Sequence, residues 1–146
     1  MIYRIKRIIF KGMKKFLVLS VFFIFLISGS ELSGQKIPDP IIKAFHKGDV
    51  EALSEYFNTR LQVNINEKEY TCSKAQAKEI MREFLNINKP SSFSIIFEGG
   101  KEDSSFSIGK LVTNNGNYRV NIFFRRFDGV YLIHLLKIDK DDKKFF

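Results

Sequence analysis

The sequence predicts an α+β domain, a curved antiparallel sheet with about three helices packed on one face. Three observations carry that expectation. Apolar residues recur at helical spacing in three segments between Asp39 and Pro90, and from Ser91 onward that period gives way to alternation. Two turn dipeptides, Asn115-Gly116 and Asp128-Gly129, each sit between apolar-rich runs, the strongest short-range hairpin signal.

The first segment stands outside this domain. Phe16 to Ile27 reads F-L-V-L-S-V-F-F-I-F-L-I, directly after Met13-Lys14-Lys15 and ahead of Ser28, Gly29 and Ser30. Positive n-region, apolar h-region and small residues in that order make a secretory signal. The run gives about 18 Å of helix against a hydrocarbon core of about 30 Å, so no stable span is expected after signal removal. Residues 1–30 are therefore read as signal peptide, 31–37 as polar leader, 38–140 as the domain and 141–146 as a charged tail. A cut after Ser30 fits the small-x-small rule; a cut near Gly34-Gln35, and a true start at Met13 rather than Met1, stay open. No cysteine directly follows the apolar run, so no lipid-modified terminus is expected. The product is expected to be exported, periplasmic or secreted.

The formal charge of +8 would suggest nucleic acid, but its location removes that partner. Six of the 24 basic residues fall in the first fifteen positions with no acid among them, leaving 18 basic against 16 acidic residues over the rest. No nucleic-acid partner is expected. Cys72 is the only cysteine, which excludes an intramolecular disulfide. With 45% hydrophobic residues and 16 Phe, the mature chain has a core large enough to stand without staples or metal.

Within the domain, Asp39-Pro40 places a capping carboxylate and an N1 proline before Ile41, Ile42 and Phe45, with Gly48 closing a short helix. Asp49 caps a second, in which Val50, Leu53, Tyr56 and Phe57 recur at helical spacing. Leu61, Val63 and Ile65 then switch the period to two, which is a strand. Ser73 with Gln76 forms a capping box for the third helix, whose apolar face is Ala77, Ile80, Met81, Phe84 and Leu85 and which Pro90 stops. Phe93, Ile95 and Phe97 alternate, Gly99-Gly100 turns the chain into Ser105 to Thr113, and the two hairpin turns complete a meander of about four strands. Gly109 sits where the alternation slips phase, with Phe106 and Ile108 on one face and Leu111 and Thr113 on the other, so a bulge is expected there.

This order, with G-D-V-E-A-L-S-E-Y-F at Gly48 to Phe57, resembles the nuclear transport factor 2-like, or cystatin-like, cone fold. The stretches I-I-K-A-F-H-K-G-D, Y-T-C-S-K-A-Q-A-K-E-I-M-R-E-F-L-N-I-N-K-P-S-S-F, F-S-I-G-K-L-V-T-N-N-G-N-Y-R-V and L-I-H-L-L-K-I-D resemble domain of unknown function 4783, an exported family of the Bacteroidetes group. The resemblance runs from Ile37 to about Asp139, with Ala75-Gln76-Ala77 and Gly116-Asn117-Tyr118-Arg119 as its most specific pieces. It implies fold and export, and no established activity comes with it, so no catalytic residues are carried over.

The chemistry-bearing residues are few. His46 and His134 are the only imidazoles and neither has a Cys or carboxylate at metal spacing, so no metal and no cofactor are expected; they read as an exposed helix histidine and a hydrogen-bonded strand histidine. Cys72, just before the Ser73 cap, reads as a small buried thiol rather than an activated one. Glu98, Glu102, Asp103 and Asp128 read as solvated charge at strand ends, loops and turns.

One strand offers a binding surface. Arg119, Asn121, Phe123 and Arg125 share one face, while Tyr118, Val120, Ile122 and Phe124 share the other and belong to the core. Arg119, Phe123 and Arg125 form the candidate binding stripe, set against the plainer reading of a wet sheet face whose arginines lie over Phe123 and guard against strand aggregation. A homodimer through Phe123 and Phe127 stays open. The function expected is a non-enzymatic exported domain that binds a small ligand, a peptide or an envelope partner. The alternative is a pocket enzyme of the ketosteroid-isomerase or polyketide-cyclase type, which would need a carboxylate or Tyr directed into a closed cavity.

Overall fold

The computed structural model describes residues 36–142. The segment read as a signal peptide, most of the one read as leader and the end of the one read as tail lie outside the described residues. Helix α1 (Asp39–Lys47) begins with a proline in its first turn and buries Ile41, Ala44 and Phe45. Pro38, not Asp39, stands at its N-cap, and no side chain caps it. Asp39 lies one position inside, where an acid complements the positive end of the helix dipole. Asp49 does cap α2 (Val50–Ser54), its carboxylate accepting the Ala52 N–H at 3.0 Å.

Helix α2 is shorter than its apolar spacing suggests. Phe57 opens β1 (Phe57–Ile65), opposite Ile133, and the Tyr56 carbonyl accepts the Ile133 N–H at 2.7 Å. Sheet pairing of the backbone overrides a helical period that two residues had merely continued. Strand β2 (Lys68–Ser73) was not expected at all. Its K-E-Y-T-C-S buries Cys72 alone, the sparse pattern of an edge strand. Helix α3 (Lys74–Ile87) has both bonds of its capping box, Gln76 N–H to Ser73 Oγ and Ser73 N–H to Gln76 Oε1, and buries Ala77, Met81, Phe84 and Leu85.

The second half is a meander of β3 (Pro90–Lys101), β4 (Ser104–Thr113), β5 (Gly116–Phe127) and β6 (Val130–Lys140). One six-stranded sheet runs β2-β1-β6-β5-β4-β3. Its neighbours are antiparallel, as expected, with one exception: β1 and β6 pair parallel, so the last strand closes the gap between the first hairpin and the meander. Gly99 and Gly100 lie within β3, and the turn into β4 is made at Glu102-Asp103, with Glu102 at φ 34.

Alternation sorts the side chains onto two faces. Leu61, Val63, Leu111, Val120, Ile122, Ile133, Leu136 and Ile138 are buried on the face that carries the helices, in one cluster with the apolar sides of α1, α2 and α3. Across the sheet Phe45 stacks on Phe93 at 4.6 Å and Phe84 meets Tyr118 edge-on at 5.1 Å.

The bulge expected at Gly109 is on the partner strand. Strand β4 keeps strict period-two burial through Gly109, whereas β3 slips register between Ile95 and Phe97, opposite Gly109 and Ile108. Phe106 and Leu111 fall on opposite faces by parity alone. Gly109 is required for a different reason, since a Cβ there would lie 2.4 Å from the Phe93 ring. A further slip falls on β6 between Leu135 and Ile133, which leaves His134 as the extra residue.

Candidate functional site

The face of the sheet away from the helices carries a row of aromatic rings across four strands. Phe97 of β3 lies 5.7 Å from Phe106 of β4, Phe106 lies 6.1 Å from Phe123 of β5, and Phe123 meets the His134 ring of β6 edge-on at 6.5 Å. Among the described residues no helix packs over them. Phe97 is 55% exposed and its neighbour Ile96 60%, while Phe106, Phe123 and His134 are half-buried by one another and by the sheet. Gly99 makes the row possible on β3: it pairs with Phe106, whose ring would lie 2.9 Å from a Cβ at that position.

Of the residues expected to form the stripe, Phe123 is in the middle of this row. Arg125 is exposed two positions away on the same face, about 7 Å along the strand, and Arg119 is exposed four positions the other way, about 14 Å off. Parity therefore holds for all three residues, and along β5 the arginine positions flank the aromatic row on its two sides. Phe127 lies on the same side at the end of β5, half-buried.

The turn expected at Asn115-Gly116 is made one residue earlier, at Asn114-Asn115 with Gly116 opening β5, and that shift is what sets Phe106 opposite Phe123. Phe123 and His134 are equally far from Asp128-Gly129, so hairpin register could have found His134. The bulge then hands the direct pairing to Leu135 and leaves the imidazole beside Phe123. His134 Nδ1 is buried with no hydrogen-bond partner among the described residues, while the Phe123 backbone is the hydrogen-bonding group that acts on the ring. Burial, and secondarily the Arg125 charge, hold its pKa below 6.5, against a smaller opposing effect of the Phe123 backbone.

Tyr118, adjacent to the stripe in sequence, has a structural task on the other face. Its hydroxyl donates to Asn88 Oδ1 at 2.9 Å, and Asn88 Nδ2 donates to the Phe84 carbonyl at 3.0 Å. The β4–β5 turn completes the clasp: Asn115 Nδ2 donates to the Ile87 carbonyl at 2.7 Å and Asn114 Oδ1 accepts the Lys89 N–H at 2.8 Å. The N-N-G-N-Y run is thus a lock on the C-terminal end of α3, satisfying carbonyls the helix leaves unpaired.

The other candidates resolve one by one. His46 is exposed on α1. Cys72 is buried, its Sγ 3.7 Å from the Leu61 carbonyl, and burial pushes the thiol pKa up, which makes it a poor nucleophile. Glu98 is not a solvated charge at a strand end: it sits within β3 opposite Ser107, half-buried, and Oε1 accepts the Ile37 N–H at 2.8 Å, tying down the segment ahead of α1. An open depression of about 680 Å³ lies between β2 and α3 over Tyr70, Cys72 and Ile80, and one of about 730 Å³ lies at the turns over Arg125, Arg126, Asp103 and Asp128. The acids in both are exposed. Among the described residues no three His, Cys, Asp or Glu converge as a metal site, and no helix is long and apolar enough to cross a membrane.

Comparison with known proteins agrees with this architecture. The family model Domain of unknown function (DUF4783) matches residues 38–139. A DUF4783 family protein from Bacteroides ovatus superposes with TM-score 0.72 at 38% identity, covering 75% of this chain and 100% of that one. One from Bacteroides uniformis gives TM-score 0.71 at 36% identity, over 74% of this chain and 100% of its own. A Nostoc punctiforme protein of unknown function with a cystatin-like fold matches at TM-score 0.52 and 16% identity over 71% of this chain and 85% of that one, a likeness of fold. Among curated proteins none matches.

Proposed function

We propose that this chain, which belongs to the DUF4783 family and has its cystatin-like, nuclear transport factor 2-like fold, is an exported binding domain whose contact surface is the open face of the sheet. The observation that carries the reading is the row Phe97, Phe106, Phe123 and His134 on a face that no described element covers. Aromatic side chains bring large contact area at small entropic cost, and contact surfaces are enriched in them. Arg119, Phe123 and Arg125 are its binding residues, and export follows from the n-region, apolar run and small residues of the first thirty positions.

The experiment places a photoreactive side chain at Asn121 on the open face, or at Glu83 on α3, in the producing cell. Adducts from position 121 and none from 83 support the reading; adducts from 83 alone, or none from 121, refute it. For export, the mature terminus is expected between Glu31 and Lys36 in a salt-washable fraction. An intact Met13 terminus in a carbonate-resistant pellet would sink that part.

The pocket-enzyme reading has Glu98 as its nearest support, a half-buried carboxylate on the helix-bearing face. That oxygen is held by the Ile37 N–H, and general-base work would require releasing it.

A further inference from the structure

The open face is charged asymmetrically. On its central strands parity and register place Lys110, Arg119, Arg125 and Lys137, against a single acid, Asp139, which Lys137 engages at 3.5 Å. Basic and acidic residues otherwise nearly balance outside the signal. The other acids are spread around the molecule: Glu69 on the open face of the β2 edge strand, Asp103 and Asp128 at the turns beside Arg125, and Glu51, Glu55, Glu79 and Glu83 on the helices, where Glu51 is paired with Lys78 and Arg82. Positive charge thus rims the aromatic row on one side of a nearly neutral domain.

We propose that this face docks an acidic polypeptide segment, its carboxylates meeting Arg119, Arg125 and Lys137 while an apolar side chain seats against Phe97, Phe106 and Phe123. The proposal rests on the reading of this face as the contact surface and adds the chemistry of the occupant. The six residue steps from Arg119 to Arg125 span about 20 Å, the reach of an extended segment of about seven residues and too wide for one small anion. A second copy fits poorly. Two-fold docking of this face on itself sets basic rows near their twins with fewer acids to compensate, and like-charge contact works against association. An anionic bilayer fits poorly as well, because Phe106 and Phe123 are half-buried in the sheet and Phe97 is the one phenylalanine of the row that stands out from it.

The test uses the purified protein and a fluorescein-labelled synthetic peptide alternating Glu with Phe and Leu, beside the same peptide with Lys for Glu. Anisotropy should show binding of the acidic peptide alone, weakened about tenfold or more between about 50 and about 500 mM salt. Arg119→Glu, Arg125→Glu and Lys137→Glu should each weaken it about tenfold, and Phe123→Ala should abolish it, with far-ultraviolet circular dichroism unchanged. Equal binding of the basic peptide, no salt dependence, or no binding of the acidic peptide up to about 1 mM overturns the acidic class. If binding survives Phe123→Ala intact, the contact-surface reading falls with it; if the basic peptide binds and Phe123→Ala abolishes that, the surface stands and only its charge preference is wrong. A sedimenting dimer lost in Phe123→Ala assigns the face to a second copy, and salt-sensitive pelleting with phosphatidylglycerol vesicles assigns it to lipid; either result overturns the proposal.

Discussion

Both faces of the sheet use the same local device, a glycine with a phenylalanine ring laid over it from the neighbouring strand, and they use it to opposite ends. On the helix side Phe93 covers Gly109 and is itself stacked on Phe45, so the ring is held on both sides. On the open side Phe106 covers Gly99 with only Phe97 and Phe123 as ring neighbours. One pair is packing and the other is surface. The difference lies not in the residues but in whether a helix closes over them, and it separates stability from contact on strands whose side chains alternate between the two.

The sharpest way to break this comparison is a pair of adjacent truncations on β5. Ile122 is fully buried, so Ile122→Ala should cost about 2–5 kcal/mol, whereas Phe123→Ala should cost about 1 kcal/mol because it loses two ring contacts and opens no cavity. Urea denaturation of both variants measures it, and equal losses would mean that both faces are covered. The glycines give the next effect. Gly109→Ala drives a methyl into the immobilised Phe93 ring and should cost about 1–3 kcal/mol, while Gly99→Ala should stay within about 0.5 kcal/mol since Phe106 can swing outward. Similar losses at the two would show Phe106 to be as confined as Phe93.

A smaller loss, about 1 kcal/mol, is expected for Tyr118→Phe, which removes the donor to Asn88 without a cavity. Hydrogen exchange should then rise first at the C-terminal end of α3; a uniform rise would mean that the clasp is not local. The last effect is on the open face again. Because the folded-state pKa of His134 lies below its unfolded value of 6.5, the folded state binds fewer protons there. Its contribution to stability is present above pH 6.5 and is lost as pH falls through the depressed folded value. Denaturation midpoints of the natural protein should therefore drop between about pH 8 and about pH 5 more than those of His134→Gln. Parallel curves would show that the imidazole is solvated.

Much of this was legible in the sequence, and the parts that were not share a cause. The capping box of α3, the Asp49 cap, the two hairpins and the parity of Phe123 follow from neighbours within a few positions, where residue type decides geometry. Strand β2, the early end of α2 and the bulge on β3 depend on what lies across the sheet. Phe57 leaves its helical period to pair with Ile133, and Gly109 is dictated by a ring sixteen positions earlier in sequence. The candidate site shows the same split: Arg119, Phe123 and Arg125 could be aligned from one strand, but Phe97 and His134 join them only through register and two bulges.

The parallel seam between β1 and β6 has a consequence for how the chain reaches this structure. Residues 57–65 have β2 on one side, and on the other they wait for residues 133–138, which come after every other strand has been made. Until β6 arrives, a two-stranded ribbon and a three-stranded meander have no ladder joining them, and neither can bury the apolar rows that Ile133, Leu136 and Ile138 complete. Loop closure over that separation is slow, and a chain delivered amino end first stays open until β6 is free. Such a polypeptide resists premature collapse into its final shape, which is the state a thread must keep while passing through a narrow channel.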